Sequence, residues 1–259
     1  MITSSSNSQI KRITQLNAKG KLRREEGVFV AEGLKLFMET PEELREKVFV
    51  SETFERAHKE LLRGVSLEVV EDSLFVRMCD TKTPQGILSV VRMPSYTWEQ
   101  VTGGAAPLLL VLEDLQDPGN LGTILRTAEG AGVTGVILSR GCVDLFHPKT
   151  IRSTMGSVYR VPYYCAEDLP EAVKQLKRQG VRIYAAHLEG KNSYAGEDYR
   201  GACAFLIGNE GNGLGRRISE EADCLIRIPM EGQVESLNAA VAAAVLMYGA
   251  HACRHAGRT

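Results

Sequence analysis

Between Asn7 and Met93 the chain alternates short apolar runs with polar stretches that keep helical spacing. Runs at 28–31, 48–51, 67–70 and 86–91 predict strands, and the segments 34–39, 53–63 and 72–79 predict helices, together a small α/β unit. Pro94, Gly103, Gly104 and Pro107 then fall where periodicity is lost, which predicts a linker over 94–106. Beyond it the apolar signal strengthens. Runs at 108–112, 136–138, 183–186, 204–207 and 225–228 are long enough for buried strands, and helices are predicted at 121–131, 169–179, 214–222 and 236–252. Strands alternating with helices imply a mainly parallel sheet covered on both faces. No internal repeat or low-complexity tract changes this picture.

The 259 residues are 44% apolar, enough for one large core or two modest ones, and the pattern favours two domains: 1–93, then the linker 94–106, then 107–259. Charged residues make up 24% and nearly cancel to a net charge of -1, which argues against disorder and against a surface that seeks polyanions by its total charge. One local departure matters. Residues 1–24 carry Lys11, Arg12, Lys19, Lys21, Arg23 and Arg24 and no acidic residue, so the segment can follow a phosphate backbone; a solvated helix face accounts for the same cluster. The six cysteines (Cys79, Cys142, Cys165, Cys203, Cys224, Cys253) form neither a C-x-x-C pair nor a cluster with histidine, and read as reduced, mostly buried thiols with no metal site. A polar N-terminus without a signal-peptide core, and a longest uncharged run, 236–250, too short for a span, predict a soluble cytoplasmic protein without membrane association.

Three segments carry candidate chemistry. The first runs from Leu112 through Asp117-Pro118-Gly119 to Arg126, with Asn120 at the expected start of a helix and Arg126 further along it. A capped helix with a surface arginine explains it equally well. The second, Phe205 to Gly215, leads an apolar strand into the glycine-dense stretch Gly208-Asn209-Glu210-Gly211-Asn212-Gly213, which lets backbone approach a ligand closely. Its glycines superficially suggest a dinucleotide site, but Glu210 would repel a phosphate and no βαβ unit with an acidic residue follows. The third, Ile228-Pro229-Met230 to Ser236-Leu237-Asn238, joins a strand end to an alanine-rich helix, with Ser236 as expected cap. Capping and packing suffice for this pattern, yet Ile228, Met230 and Leu237 beside a glycine loop also suit an adenine slot. His147 is a loop histidine, His187 ends a strand, and His58, His251 and His255 read as helix-surface residues.

In this order Asn120-Leu-Gly-Thr-Ile-Leu-Arg126, Ile207-Gly208-Asn209-Glu210-Gly211, and Ile228-Pro229-Met230 with Ser236-Leu237-Asn238 resemble the three motifs of the SpoU, or TrmH-like, branch of the SPOUT RNA methyltransferases, over roughly residues 107–255. Ser8-Gln-Ile-Lys11, the stretch 19–24 and Phe29-Val-Ala-Glu32-Gly33 more loosely resemble the ribosomal-protein-like substrate-binding domain often fused to this family.

The resemblance implies a parallel α/β sheet whose C-terminal segment threads a preceding loop as a trefoil knot, an exception to usual chain topology. It implies that loops starting at His187, Gly208 and Ile228 lie side by side around S-adenosylmethionine, with Asn209, Glu210, Gly211, Met230, Ser236, Leu237 and Asn238 completing the cofactor site. It further implies methylation of an RNA ribose 2′-hydroxyl, ribosomal RNA being preferred over transfer RNA, in a homodimer. Arg126 matches the family's catalytic arginine and an RNA contact. A guanidinium is a poor base unless strongly perturbed, so anchoring a phosphate or stabilising the developing alkoxide stands beside proton abstraction as its role. Asn120, Glu210, Ser236 and Asn238 are implied to hold loops and nucleophile in line. Two other readings remain open: an RNA-binding protein that keeps the fold without turnover, and a nucleotide-dependent oxidoreductase based on Gly211–Gly215.

Overall fold

A computed structural model of the protein describes residues 1–256. The last three positions of the expected 107–259 segment lie outside the described residues. The chain divides into two compact units, residues 1–94 with 144–159, and residues 95–143 with 160–259.

The first unit begins with α1 (Ser8–Ala18), capped by Asn7, whose side chain accepts the Gln9 amide, and with Ile10, Ile13 and Leu16 turned inward. α2 (Gly20–Glu26) follows after a single residue. Then come β1 (Val28–Glu32), α3 (Leu34–Glu39), β2 (Arg45–Ser51), α4 (Glu52–Ala57), β3 (Leu67–Val70), α5 (Asp72–Met78) and β4 (Ile87–Arg92). The four strands order β1-β4-β2-β3, with β4 antiparallel to both neighbours and β2 parallel to β3. Side chains alternate between two apolar layers: Phe49 joins Ile13, Leu16, Leu74 and Phe75 on one face, while Val48 and Val50 join Phe37, Phe54 and Leu62 on the other.

In the second unit, α6 (Trp98–Thr102) occupies the expected linker. Its capping box of Thr97 and Gln100 fixes the helix start, and Trp98 and Val101 are buried in the core of this unit, so the stretch is packed structure. β5 (Leu108–Leu112), α7 (Pro118–Ala131) and β6 (Gly135–Ser139) follow. The chain then supplies residues 144–159, including α8 (Pro148–Thr154), to the first unit, where Phe146 and Tyr159 lie against Phe29 at ring-centroid distances of 4.9 and 6.2 Å. It returns as β7 (Tyr163–Ala166), α9 (Leu169–Arg178), β8 (Arg182–Ala186), β9 (Asn192–Ser193), β10 (Cys203–Ile207), α10 (Arg216–Ser219), β11 (Cys224–Arg227) and α11 (Ala239–His255).

These seven strands order β7-β6-β5-β10-β8-β11-β9, and every neighbouring pair is parallel. β5 and β10 at the centre are buried at every position, as expected for a sheet covered on both faces. Leu109, Val111, Ala204 and Leu206 meet Trp98, Val173, Leu176 and Ile218 from α6, α9 and α10. α11 packs against α7 and β10.

Three expectations are corrected here. Asn120 does not cap α7: Asp117 does, accepting the Asn120 amide at 2.8 Å, and Pro118 takes the first helical turn. Ser236 does not cap α11 either, since the loop stays extended to Asn238, whose Oδ1 accepts the amides of Ala240 and Val241. The cysteines are all thiols, none in a disulfide, but of them only Cys203 is buried, while Cys165 is exposed on edge strand β7.

Candidate active site

β8, β10 and β11 end at the same carboxyl edge of the parallel sheet, where open α/β sheets receive ligands. The loops they feed, with the segment leading into α11, line a cavity of about 700 Å³. His187, Gly208, Asn209, Glu210, Gly211, Ile228, Met230, Ser236 and Leu237 all face it. Asn238 is not among its lining residues.

The glycine loop is built by its own backbone. Asn209 and Gly213 exchange amide and carbonyl hydrogen bonds at 3.0 and 2.9 Å, and the Asn209 Oδ1 accepts the amides of Gly211 and Asn212. Gly213 adopts φ +66°, and a Cβ on Gly208 would lie well under 3.0 Å from backbone atoms of Gly213 and Leu214. The loop therefore curls back on Gly208 with no room for a side chain. Its amides are not presented to a phosphate: Asn209 occupies two of them, and the Glu113 carboxylate accepts the Gly215 amide at 2.6 Å. This arrangement removes the physical basis of the dinucleotide reading. Burial pushes the Glu113 carboxyl up, opposed by that same amide.

Glu210 turns away from the loop to hold the start of α7. Its carboxylate accepts the amides of Gln116 and Asp117 at 2.9 and 3.0 Å and the Asn120 Nδ2 at 3.0 Å. Burial raises its pKa, but these hydrogen bonds outweigh burial and leave it below the ordinary carboxylate value. Asn120 Oδ1 in turn accepts the Asn238 Nδ2 at 3.1 Å. Glu210, Asn120 and Asn238 thus form one hydrogen-bonded row that ties together all three motif segments. Neighbouring groups missed by sequence reasoning complete the clamp: Asp114, a non-glycine residue at φ 51°, has its carbonyl held by Gln116 Nε2 and Asn209 Nδ2 at 2.9 and 2.8 Å. The Asp117-Pro118 pair was the readable signal for the cap; nothing local announces Glu113 or Asp114.

Arg126 lies outside that row. It is exposed on α7, roughly 9 Å along the axis from Asn120, and has no hydrogen-bond or ion partner among the described residues. Ser236 is exposed and lines the cavity. His187 Nδ1 accepts the Glu189 amide at 3.2 Å, a turn-forming contact.

Of the basic positions expected to meet RNA, Lys11, Lys19, Lys21 and Arg24 are exposed. Arg12 is paired with Glu26 and Glu46 at 2.7 and 2.9 Å. Arg23, expected among the RNA contacts, is instead turned inward on α2 and 2% exposed. Its guanidinium donates to Asp144 Oδ2 at 2.6 and 3.0 Å and to the carbonyls of Leu16 and Asn17. His147, expected as a loop residue, caps α8 by accepting the Lys149 amide.

The cavity volume is that of a small-molecule site. Its closed glycine loop and the apolar Leu214, Ile228, Met230 and Leu237 suit a nucleoside flanked by backbone groups, which is what S-adenosylmethionine requires. An all-parallel sheet bearing this site at its carboxyl edge is the architecture of the SPOUT methyltransferases. The chain belongs to the SpoU rRNA Methylase family, which it matches over residues 107–248, and residues 7–89 match the MRM3-like substrate binding domain. It is 36% identical over 250 residues, 95% of this chain and 97% of the other, to the 23S rRNA (guanosine(2553)-2′-O)-methyltransferase RlmP of Bacillus subtilis. An AdoMet-bound rRNA methyltransferase from Sinorhizobium meliloti superposes with TM-score 0.84 at 32% identity, covering 96% of each chain. The SpoU methyltransferase AviRb from Streptomyces viridochromogenes, in complex with AdoMet, gives 0.86 at 26% identity, covering 97% of this chain and 100% of that one.

Proposed function

We propose that the protein is an S-adenosylmethionine-dependent methyltransferase acting on a ribose 2′-hydroxyl of 23S rRNA. The observation that carries this reading is the Glu210–Asn120–Asn238 row, which holds all three motif segments around one cavity of cofactor size. When bound, S-adenosylmethionine supplies an electrophilic methyl group on a sulfonium. Residues of the Gly208, Ile228 and Leu237 loops hold its nucleoside, with His187, Asn209, Gly211, Met230 and Ser236 around it. Arg126, permanently charged and without a competing partner, anchors an RNA phosphate or stabilises negative charge developing on the 2′-oxygen. Glu210, Asn120 and Asn238 act on the reaction by positioning the start of α7.

Residues 1–93 serve in this reading as the RNA-binding portion and 107–259 as the methyltransferase portion, with the C-terminal segment threaded as a knot. The likeness to RlmP spans both portions, which favours ribosomal over transfer RNA and makes a guanosine the first nucleotide to examine. A homodimer is part of the proposal, supported by the half-exposed Val241 and Tyr248 on α11. So is a cytoplasmic location, where ribosomal RNA is met; no described helix is long and apolar enough to cross a membrane. No metal enters the scheme. Mapping of 2′-O-methyl groups in total RNA from cells with and without the protein tests the proposal. Loss of one methyl in 23S rRNA is expected; loss confined to transfer RNA, or no loss together with no methyl transfer in vitro, overturns it.

A further inference from the structure

The buried Arg23–Asp144 pair is the centre of a second feature of the first unit, beside edge strand β1. A Cβ on Gly20 would lie 2.8 Å from Asp144 Oδ2 and 3.3 Å from guanidinium nitrogens of both Arg23 and Arg24, so Arg24 stands next to the pair. Asn17 Nδ2 donates to the Met78 carbonyl at 3.0 Å, which brings the end of α5, with Arg77, to the α1–α2 junction at Lys19. The following loop is pinned by side chains. The Glu32 carboxylate, 8% exposed, accepts the Asp80 amide at 3.0 Å and the Thr81 hydroxyl, and Arg152 pairs with Asp80 at 2.7 Å. Lys82 projects from this fixed loop.

Of the carboxylates around this face, Asp144 and Asp80 are neutralised by Arg23 and Arg152, and Glu32 is buried with its oxygens taken up by the Asp80 amide and the Thr81 hydroxyl. Lys19, Arg24, Arg77 and Lys82 are exposed and have no hydrogen-bond or ion partner among the described residues. The exposed large apolar side chains of the unit are Met1, Met38, Val76 and Met155, none of them aromatic, so the face offers no platform on which bases stack. Unpaired cations on a rigid frame without stacking groups match the phosphates of a folded RNA and carry no base readout. We infer that this face, through Lys19, Arg24, Arg77 and Lys82, docks the sugar–phosphate backbone of structured RNA without regard to sequence. The inference rests on the proposed RNA methyltransferase activity and specifies how the first unit holds the substrate.

The test compares the full-length protein with the variant K19Q/R24Q/R77Q/K82Q and with the control K59Q/R63Q, which lies with α4 on the opposite face of the sheet. Binding to a 23S rRNA transcript and to an unrelated structured RNA of equal length is measured from low to high KCl. Each lost phosphate contact flattens the log–log salt dependence by about 0.7–0.9, so the fourfold variant should lose a slope of about 3 on both RNAs. KM for RNA should rise at least tenfold, with cofactor affinity, kcat at saturating RNA and thermal unfolding unchanged; the control should match the parent. A fourfold variant within one slope unit of a parent that methylates RNA overturns this inference and leaves the activity standing. A loss restricted to the 23S transcript also overturns it, and a parent that neither binds RNA nor transfers methyl overturns both.

Discussion

Replacing Gly208 by alanine places a methyl group where the loop after β10 folds back upon itself. The neighbours it meets are backbone atoms of Gly213 and Leu214, which cannot swing aside as a long side chain would. Reaching ordinary contact at 3.4 Å obliges that backbone to retreat, and the Asn209–Gly213 pair of hydrogen bonds, at 3.0 and 2.9 Å, opens with it. Two such bonds at about 1 kcal/mol each represent a loss of about 2 kcal/mol of loop closure. At 1.4 kcal/mol per factor of ten, cofactor affinity should fall roughly 30-fold. If the methyl donor shifts by about 1 Å in the process, kcat falls on the order of a hundredfold more. Isothermal titration with S-adenosylmethionine reads the first effect directly, with Gly201→Ala as control because a Cβ there meets nothing within 4 Å. A Gly208→Ala protein that stays folded and binds the cofactor within threefold of the parent would refute the claim that this close approach shapes the site.

Arg126→Ala should retain cofactor affinity and lose about 10²–10³ in single-turnover methyl transfer, the usual effect of removing one electrostatic stabiliser; near-parental turnover would take Arg126 out of the reaction. Arg23→Ala leaves Asp144 without its partner and should destabilise the first unit by about 3 kcal/mol or more, read as a lower urea midpoint, whereas Lys21→Ala should stay within about 0.5 kcal/mol. The lowered pKa of Glu210 means that its stabilisation of the loops is complete above the unfolded value near 4.5 and is lost as pH falls through the still lower folded value. Cofactor affinity should therefore show no Glu210-dependent change between pH 8 and about 5, and should acquire one only in acid. Titrations of the parent and Glu210→Gln that converge only below that range support this assignment; divergence centred near pH 7 contradicts it.

Buried strands announced themselves because a central parallel strand must be apolar at every position, as Leu108–Leu112 and Cys203–Ile207 are. β7 and β9, at the sheet's edges, gave no such run: β7 is fully buried only at Ala166, and β9 spans two residues. The basic N-terminal segment was read by charge, which concealed that Arg23 is buried on α2 against Asp144, 121 positions away. The motifs could be found in the chain, but their mutual contacts could not. Glu210 bonds to amides 93 and 94 positions away, and no spacing rule predicts that a carboxylate in a glycine loop will brace a distant helix. Helix caps failed for a simpler reason. Ser236 and Asn238 are both good caps, as are Asp117 and Asn120, and which one serves depends on where the loop stops being extended.

The segment 144–159 has a consequence for how the protein can be taken apart. Sequence similarity divides the chain near residue 100 into two tidy pieces, matched over 7–89 and 107–248. Folding does not respect that division, because the polypeptide crosses between its units three times, after residues 94, 143 and 159. Deleting the first 94 residues would strip Phe146 and Tyr159 of Phe29, deprive Tyr159 of the Thr40 hydroxyl, and leave Asp144 without Arg23. The remaining fragment would carry residues 144–159, with Leu145, Phe146, Ile151, Val158 and Tyr159 now parted from these neighbours, just downstream of β6. Matching two family patterns in separate stretches and folding as separate units are therefore different properties, and a cut near residue 100 respects only the first.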